Sequence, residues 1–400
     1  MSLDLVQALA KLQEKTAHIM NRHSEGSVQA IKAINLLSSL SHEEIMQKAQ
    51  SGKFTWMAAE IHTSLAGKYT KPAKPNNYKV MAVDGSQIDV SRHAPLMYHL
   101  INIGKVILTY GESSSAVLES KPEIAVSENE LYIEDQDSTR SVPIEGAVLG
   151  IKRSLRELET LSETIATDAD EIPTLALLDG TLIFWTITAN SLPTSVTDYL
   201  INTYLIPSLD RIKEKSIKSL TSLASYISSP KSTDVVNTLR LAICPYSPIN
   251  CDLHCGTLNA GTRPCDSVNR ITDQDIFSIF LDTGQRSEIF FSTSQVIQKY
   301  YLGHEIGFFY LNTGKEIARI EIPIWVASDH ALVDLTHSLI LDQVDKGLGY
   351  PISLSEAHEQ AVVTPQNRNA FNAIIETMLT NQDVSIGGSQ KSSSKQVRWI

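Results

Sequence analysis

Cysteine is scarce. Four in 400 residues is too few for a disulfide scaffold. Long hydrophobic runs are missing as well. The longest, Leu175–Leu178 and Leu182–Trp185, flank Asp179-Gly180 and fall far short of the ~20 apolar residues that span a bilayer, so no membrane association is expected. The first twelve residues carry Asp4 and lack a basic start, an apolar stretch and a small-residue cleavage site, which predicts a cytoplasmic protein without a secretory leader. Positive charge is in deficit, 34 Lys and Arg against 45 Asp and Glu, a net charge of −11. That excludes a protein that coats nucleic acid with a broad basic face. It does not exclude one that takes nucleic acid into a narrow channel, and carboxylates collected to hold metal would themselves push the charge negative. No GxxxxGK[ST] phosphate loop is present, so the chain is not expected to hydrolyse ATP. No solenoid-type repeat is found.

What is present is an ordinary globular balance, 42% hydrophobic and 20% charged. At roughly 150 residues per domain the length predicts two or three packed units. Residues 1–70 read as a helical N-terminal region, with Leu5, Leu9, Leu12, Ile19, Ile31, Ile34 and Leu37 near helical spacing. Ser41-His-Glu-Glu44 has the form of a capping box. The apolar stripe of this region must be covered, by self-association, by a partner or by the protein's own core. Lys71–Asn77 reads as a linker. Strands are predicted at Tyr78–Gln87, Leu96–Ile103, Lys105–Tyr110 and Thr174–Asp179, with hairpins or an insertion over 111–145. Residues 146–166 and 193–226 read as helical, and Ile306–Leu311 pairs with Glu316–Pro323 across Asn312-Thr-Gly314. Helices follow at Thr272–Leu281, Ala331–Asp345, Ser355–Val363 and Asn369–Leu379. A Ser-, Gly- and Gln-rich tail over 381–400 is expected to lack order.

Two constellations could carry chemistry. Asp84 and Asp179 each close a short apolar strand and precede Gly, a placement that projects carboxylates from a sheet edge where α/β sites form. Two such groups on adjacent strands can bridge hard divalent cations for phosphodiester hydrolysis, although Asp-Gly is also simply a turn former. The second constellation is Tyr350 with His358 in Gly349-Tyr-Pro-Ile-Ser-Leu-Ser-Glu-Ala-His-Glu359, a turn feeding a helix capped by Ser353 or Ser355. His358 there reads either as a surface side chain or as a group that ligates metal, holds phosphate or moves a proton.

Taken in order, Val83-Asp84-Gly-Ser86, Arg153-Ser-Leu-Arg-Glu157, Leu177-Leu-Asp179-Gly-Thr-Leu182 and Gly349-Tyr-Pro-x-x-Leu-x-x-Ala-His358 resemble the NurA-type nucleases of DNA double-strand break repair. The resemblance runs over about 78–365, takes in Phe308-Phe-Tyr-Leu311 and Glu321-Ile-Pro323, and leaves 366–380 as a C-terminal helix. It implies an α/β fold with an RNase H-like mixed sheet flanked by helices. It implies a deoxyribonuclease dependent on Mn²⁺ or Mg²⁺, a 5′–3′ exonuclease or a single-strand endonuclease. It also implies a homodimer acting on DNA beside a HerA-type hexameric translocase. The site residues it implies are Asp84, Glu157, Asp179, Tyr350 and His358, with Asp84, Glu157, Asp179 and His358 on the metal. Helical periodicity alone does not choose between Glu157 and Glu159, and the R-x-x-x-E pattern from Arg153 selects Glu157. The competing function is a non-catalytic adaptor that binds the translocase and keeps the fold without the chemistry. The insertion at 111–145 departs from smaller relatives and leaves substrate preference open.

All four cysteines fall within 240–272, as Cys244-(x6)-Cys251-(x3)-Cys255-(x9)-Cys265. Clustered thiols in a reducing compartment point to metal, most simply a tetrahedral structural Zn²⁺, or are thiols with no ligand. The spacing lacks the paired C-x2-C of zinc ribbons and any ferredoxin pattern.

Overall fold

The computed structural model describes residues 4–90, 96–135, 140–189, 192–259 and 261–381. It comprises two compact units. One is formed by 73–225, 299–304 and 325–400, the other by 1–72, 226–298 and 305–324. The expected unstructured tail beyond Asn381 lies outside the described residues.

The first unit is built on strands β1 (Tyr78–Ile88), β2 (His99–Tyr110), β3 (Ser115–Ala125), β4 (Thr174–Asp179) and β5 (Thr221–Ile227). Their hydrogen-bonded order is β3-β2-β1-β4-β5. β1, β2 and β3 form an antiparallel meander, and β4 lies parallel to β1. The crossover between β3 and β4 contains helix α1 (Ala147–Thr167). This is an RNase H-like mixed sheet flanked by helices. The other helices of this unit include α2 (His330–Lys346), α3 (Ile352–Ala361) and α4 (Pro365–Thr380).

Local chemistry explains these elements. Leu175 to Leu178 of β4 are buried without alternation, as a strand covered on both faces requires. In α1, Leu149, Ile151, Leu155, Leu158, Leu161 and Ile165 recur at helical spacing and are buried. Each buried aliphatic side chain contributes roughly 1.5–3 kcal/mol. Together they fix the rotation of α1 about its axis, and so the direction in which Glu157 points. The edge strand β3 is exposed along most of its length and carries Lys121 and Pro122, residues that discourage further pairing.

In the second unit, helices Thr16–Ser39, His42–Ser51, Asp234–Ala242 and Asp273–Phe280 pack with the hairpin of Ile306–Asn312 and Ile317–Pro323. Ala33, Leu37, Ile45, Leu239, Phe277, Phe308 and Tyr310 lie in its core. Asp273 is wholly buried there. It accepts from the Val235 and Val236 amides at 3.1 and 2.8 Å and from the Tyr310 hydroxyl at 2.7 Å. Burial first, then the neighbouring Asp234, pushes its carboxyl up to about 7.

Several expectations need correction. The strands expected at Leu96–Ile103 and Lys105–Tyr110 are one strand, β2, which starts only at His99 and runs through Gly104. Residues 221–226, expected within a helix, belong to β5. The helix ends at Lys218, and the run from Thr221 carries β-branched and aromatic residues and is buried on both faces. The N-terminal helices stop at Ser51, and 52–70 contains only the two-residue strands Glu60–Ile61 and Lys68–Tyr69. Ser41 precedes the third helix but makes no side-chain cap; its hydroxyl donates to Glu43 at 2.5 Å. Helix α3 starts at Ile352 behind Pro351, so neither Ser353 nor Ser355 caps it, and His358 lies toward its C-terminal end.

Candidate active site

Asp179 is the last residue of β4, and Gly180 after it adopts φ +83°, the left-handed turn that glycine permits. Asp84 is different. It stands inside β1, which continues to Ile88. The parallel ladder between β1 and β4 runs from Lys79↔Thr174 to Val83↔Leu178. Asp84 and Asp179 are therefore the next residues on two adjacent strands, immediately beyond the last rung.

Gly85 makes no turn. A Cβ there would lie 2.5 Å from Glu157 Oε1 and 3.0 Å from Arg153 Cγ, so glycine admits the acidic side chain of α1 against the strand. Glu157 is largely buried, and its Oε1 has no hydrogen-bond partner. Arg153 Nε lies 3.1 Å away, an ion pair too poorly aligned for a hydrogen bond. Burial, opposed by Arg153 and reinforced by the charges of Asp84 and Asp179, pushes the Glu157 carboxyl up to about 8. The Asp179 carboxyl is also raised, by loss of hydration and by Asp84, against the hydrogen bond it receives from Tyr350 and the Gly180 amide. Glu159 faces elsewhere, against Arg156, which also grips Glu123 at 2.6 Å. Of the two glutamates that periodicity left open, Glu157 is the one beside Asp84 and Asp179.

His358 Nδ1 lies 2.8 Å from Asp84 Oδ2, and Asp84 Oδ1 accepts from the Gly85 amide at 2.8 Å. The histidine is mostly exposed while Asp84 is largely covered, so the pair links a buried carboxylate to the surface. Asp84, Glu157, Asp179, Tyr350 and His358 thus come together in one unit from four elements and one turn.

Sequence reasoning missed the residues that hold α3 in place. Ser86 Oγ donates to the Ala361 carbonyl at 2.5 Å, and Asn102 Nδ2 donates to the same oxygen at 2.8 Å and to the Gln360 carbonyl at 3.1 Å. These donors satisfy carbonyls that a helix C-terminus leaves open. Gly104, opposite Asp84 in the β1–β2 register, gives α3 room: a Cβ there would lie 2.3 Å from the Ala357 carbonyl oxygen. The third letter of Asp84-Gly-Ser86 was the available signal, since Ser is otherwise unexplained in that strand.

Among the described residues, no three His, Cys, Asp or Glu side chains stand ready-made around a cation position. The donor set still fits one. Asp84, Glu157 and Asp179 are hard oxygen donors in mutual repulsion, and a buried oxygen of Glu157 is unsatisfied.

An RNase H-like sheet with acidic residues on its two central parallel strands defines the class of fold and site. A model of the NurA domain matches residues 78–363, and the chain belongs to the NurA domain family, a family of nucleases. Among solved structures, it is similar to a crystal structure of NurA with manganese at 13% identity, covering 91% of this chain and 98% of that one with a TM-score of 0.36. A crystal structure of NurA bound to dAMP and manganese matches at 13% identity, 91% and 97% coverage and a TM-score of 0.35. A type 1 RNase H, LC9-RNase H1, matches at 6% identity over 42% of this chain and 72% of its own, with a TM-score of 0.22. No curated protein matches the chain. Among the described residues, no helix is long and apolar enough to cross a membrane.

Proposed function

We propose that this protein is a metal-dependent deoxyribonuclease that trims DNA ends in double-strand break repair. The observation that carries the reading is the convergence of Asp84, Glu157 and Asp179 beyond the last rung of the parallel ladder, with Glu157 unsatisfied and strongly raised. Asp84, Glu157 and Asp179 would hold Mn²⁺ or Mg²⁺, with His358 at the edge of that shell. A bound divalent cation there supplies an ionisable water and neutralises charge on the scissile phosphate. Tyr350 orients the Asp179 carboxylate through its hydroxyl. His358, exposed and tied through Nδ1 to Asp84, presents its other ring nitrogen outward, where it can exchange a proton with the phosphate or leaving group.

We extend the reading, on the resemblance in sequence alone, to a homodimer working beside a HerA-type translocase. A net charge of −11 supports that dependence, because affinity for DNA rests largely on phosphate neutralisation by Lys and Arg. Degradation of end-labelled linear DNA with Mn²⁺, with Mg²⁺ and with chelator tests the reading. Cation-dependent cleavage that disappears in Asp179→Asn supports a nuclease. Absence of cleavage under all conditions, with and without the translocase, would leave the adaptor reading.

A further inference from the structure

Cys244, Cys251, Cys255 and Cys265 are free thiols, and among the described residues no three metal-ligating side chains surround one position, so their closeness in sequence is not matched by a gathered ligand set. Another feature goes unused by the nuclease chemistry. A cavity of about 950 Å³ lies within the first unit, bounded by the segment 128–144, by Lys152 of α1 and by the helix that begins at Thr194. The segment belongs to the insertion expected at 111–145, and its hairpin pairs Tyr132–Glu134 with Ser141–Pro143. The Ser195 hydroxyl donates to Asp135 and ties the segment to that helix.

Two tyrosines are set into the cavity by a widened helical turn. Tyr199 and Tyr204 are five residues apart, which in a regular α-helix would put them roughly 140° apart around the axis. Residues Ile201–Leu205 instead form a π-helical turn, closed by the Ile206 amide on the Ile201 carbonyl. Such turns bring positions five apart together and recur at functional sites. Pro207 follows at once and has no amide to restore the tighter pairing. The two rings meet edge to face with centroids 6.3 Å apart, and Tyr199 is 42% exposed. Ile133, Ile144 and Leu200 supply apolar lining.

Polar groups on the same cavity are left open. Glu130 collects its hydrogen bonds on Oε2, from the Val126 amide at 3.2 Å, the Ser127 amide at 3.1 Å and the Ser127 hydroxyl at 2.7 Å, so Oε1 remains an acceptor. Lys152 is half-buried, lies within the electrostatic reach of Glu123 and Glu130, and donates no hydrogen bond among the described residues. A partly buried ammonium without an acceptor is costly. A ligand that offers an acceptor to Lys152 and a donor to Glu130 satisfies both, and nucleobase edges carry both kinds of group. The planar face of a base also suits the open ring of Tyr199. A phosphate does not fit, because Glu128 and Glu134 line the same cavity and would repel it.

We propose that this cavity holds one unpaired base of a DNA strand, stacked on Tyr199, while the phosphates of the strand stay outside. The inference rests on the nuclease reading and adds to it a requirement for a single-stranded segment. Lys152 precedes Glu157 by five residues on α1, about 7.5 Å along the axis, so one strand can reach both the base site and the acidic cluster. In a chain with a net charge of −11, stacking supplies affinity that phosphate neutralisation does not.

The test is fluorescence anisotropy of a labelled single-stranded oligodeoxynucleotide with the full-length protein, at low salt and in chelator so that nothing is cleaved. Tyr199→Ala is expected to weaken binding about 5–150-fold, the range for one stacked base, with an unchanged melting temperature. Tyr199→Phe, which keeps the ring, should bind like wild type. On an oligonucleotide made abasic throughout, wild type should bind no better than Tyr199→Ala. Lys152→Met should weaken binding without changing its salt slope, and a slope lowered by about 0.7 would put the ammonium on a phosphate and overturn the base site. No binding by wild type, equal binding by Tyr199→Ala, or a Tyr199 effect that persists on the abasic strand would also overturn it. So would retention of a Lys- and Arg-rich peptide that Tyr199→Ala abolishes while oligonucleotide binding stays unchanged, which would give the cavity to a basic peptide. The cleavage assay separates this inference from the reading beneath it. Tyr199-dependent binding with no cleavage under any cation would reject the nuclease and keep the base site, whereas cleavage with Tyr199-independent binding would reject the base site alone.

Discussion

His358 reaches from near the end of α3 to Asp84 in the middle of β1, 2.8 Å from nitrogen to oxygen across 274 positions of sequence. The contact depends on how close the helix lies to the sheet, and glycine sets that distance. Gly104 in β2 faces the α3 backbone, and Gly85 in β1 faces Glu157 of α1. Asp84 is thus enclosed from two sides because its neighbours have no side chains.

Asp84→Asn and Asp179→Asn keep shape and remove ligand charge. Both are expected to reduce cation-dependent DNA cleavage to background while the apo protein melts at the same temperature or higher, since repulsion among the three carboxylates is relieved. Melting curves with and without Mn²⁺ check the second half: the cation should raise the wild-type midpoint and leave the variants unmoved. Near-normal cleavage by either variant rejects the site.

His358→Ala and Tyr350→Phe remove groups that hold ligands in position. Each should lower activity by about 10–100-fold and shift the Mn²⁺ requirement upward, as loss of an orienting partner commonly does. A cation titration of the cleavage rate would read this out. An unchanged half-saturating concentration would argue that neither side chain orients a ligand.

The two glycines should respond differently to alanine. At Gly85 the new methyl meets the movable end of Glu157, so Gly85→Ala is expected to fold with little change in melting but to lose cleavage. At Gly104 it meets the Ala357 carbonyl and the Ala361 amide, which are backbone. Gly104→Ala should cost about 1–3 kcal/mol, the range typical of overpacking. Urea unfolding of both variants beside their nuclease rates distinguishes the two effects.

His99 is buried at the start of β2. Burial, aided by the charge of Lys152 and opposed by Asp89 and Glu130, lowers its pKa from 6.5 to about 4. Between those values the unfolded chain binds a proton that the folded chain does not, so stability falls as pH drops from about 6.5 toward about 4. His99→Gln should flatten that limb of a urea-midpoint profile, by an amount on the order of a few kcal/mol at its acid end. A profile with an unchanged acid limb would show that other groups control it.

Helix Leu5–Glu14 buries none of its residues, with Leu5 and Val6 72% and 80% exposed. Ala33, Leu37, Ile45, Ile61 and Leu65 are core. Deleting residues 1–15 is therefore expected to change stability by less than about 0.5 kcal/mol. Deleting 1–67 should unfold the unit that these side chains help to build. Circular dichroism melts of the two truncations would show it.

Much of this was legible in advance because the informative residues are local. Two apolar runs ending in Asp-Gly marked the paired parallel strands, and the apolar face of α1 was plain from Leu155, Leu158 and Ile165. The rest depends on tertiary contacts. Nothing local marks Gly85 as a point of close approach rather than a turn. The continuity of β2 through Gly104 depends on partners on both sides. Thr221–Ile227 follows a helix without strong punctuation. The N-terminal stripe contained both answers at once: its first helix is exposed, and the later ones pack into the core of their own unit.

The five rungs from Lys79 to Val83 act as a ruler as well as a support. Side chains along a strand alternate between faces, so moving β1 by one residue against β4 would turn Asp84 to the opposite side of the sheet and bring Gly85 beside Asp179. The location of the acidic cluster is therefore quantised. A single-residue deletion within the buried run Val80–Val83 would leave every functional side chain in the sequence and the apolar composition nearly intact. It would also separate the carboxylates, so the proposed chemistry would be lost through a register error in a buried segment outside the acidic cluster.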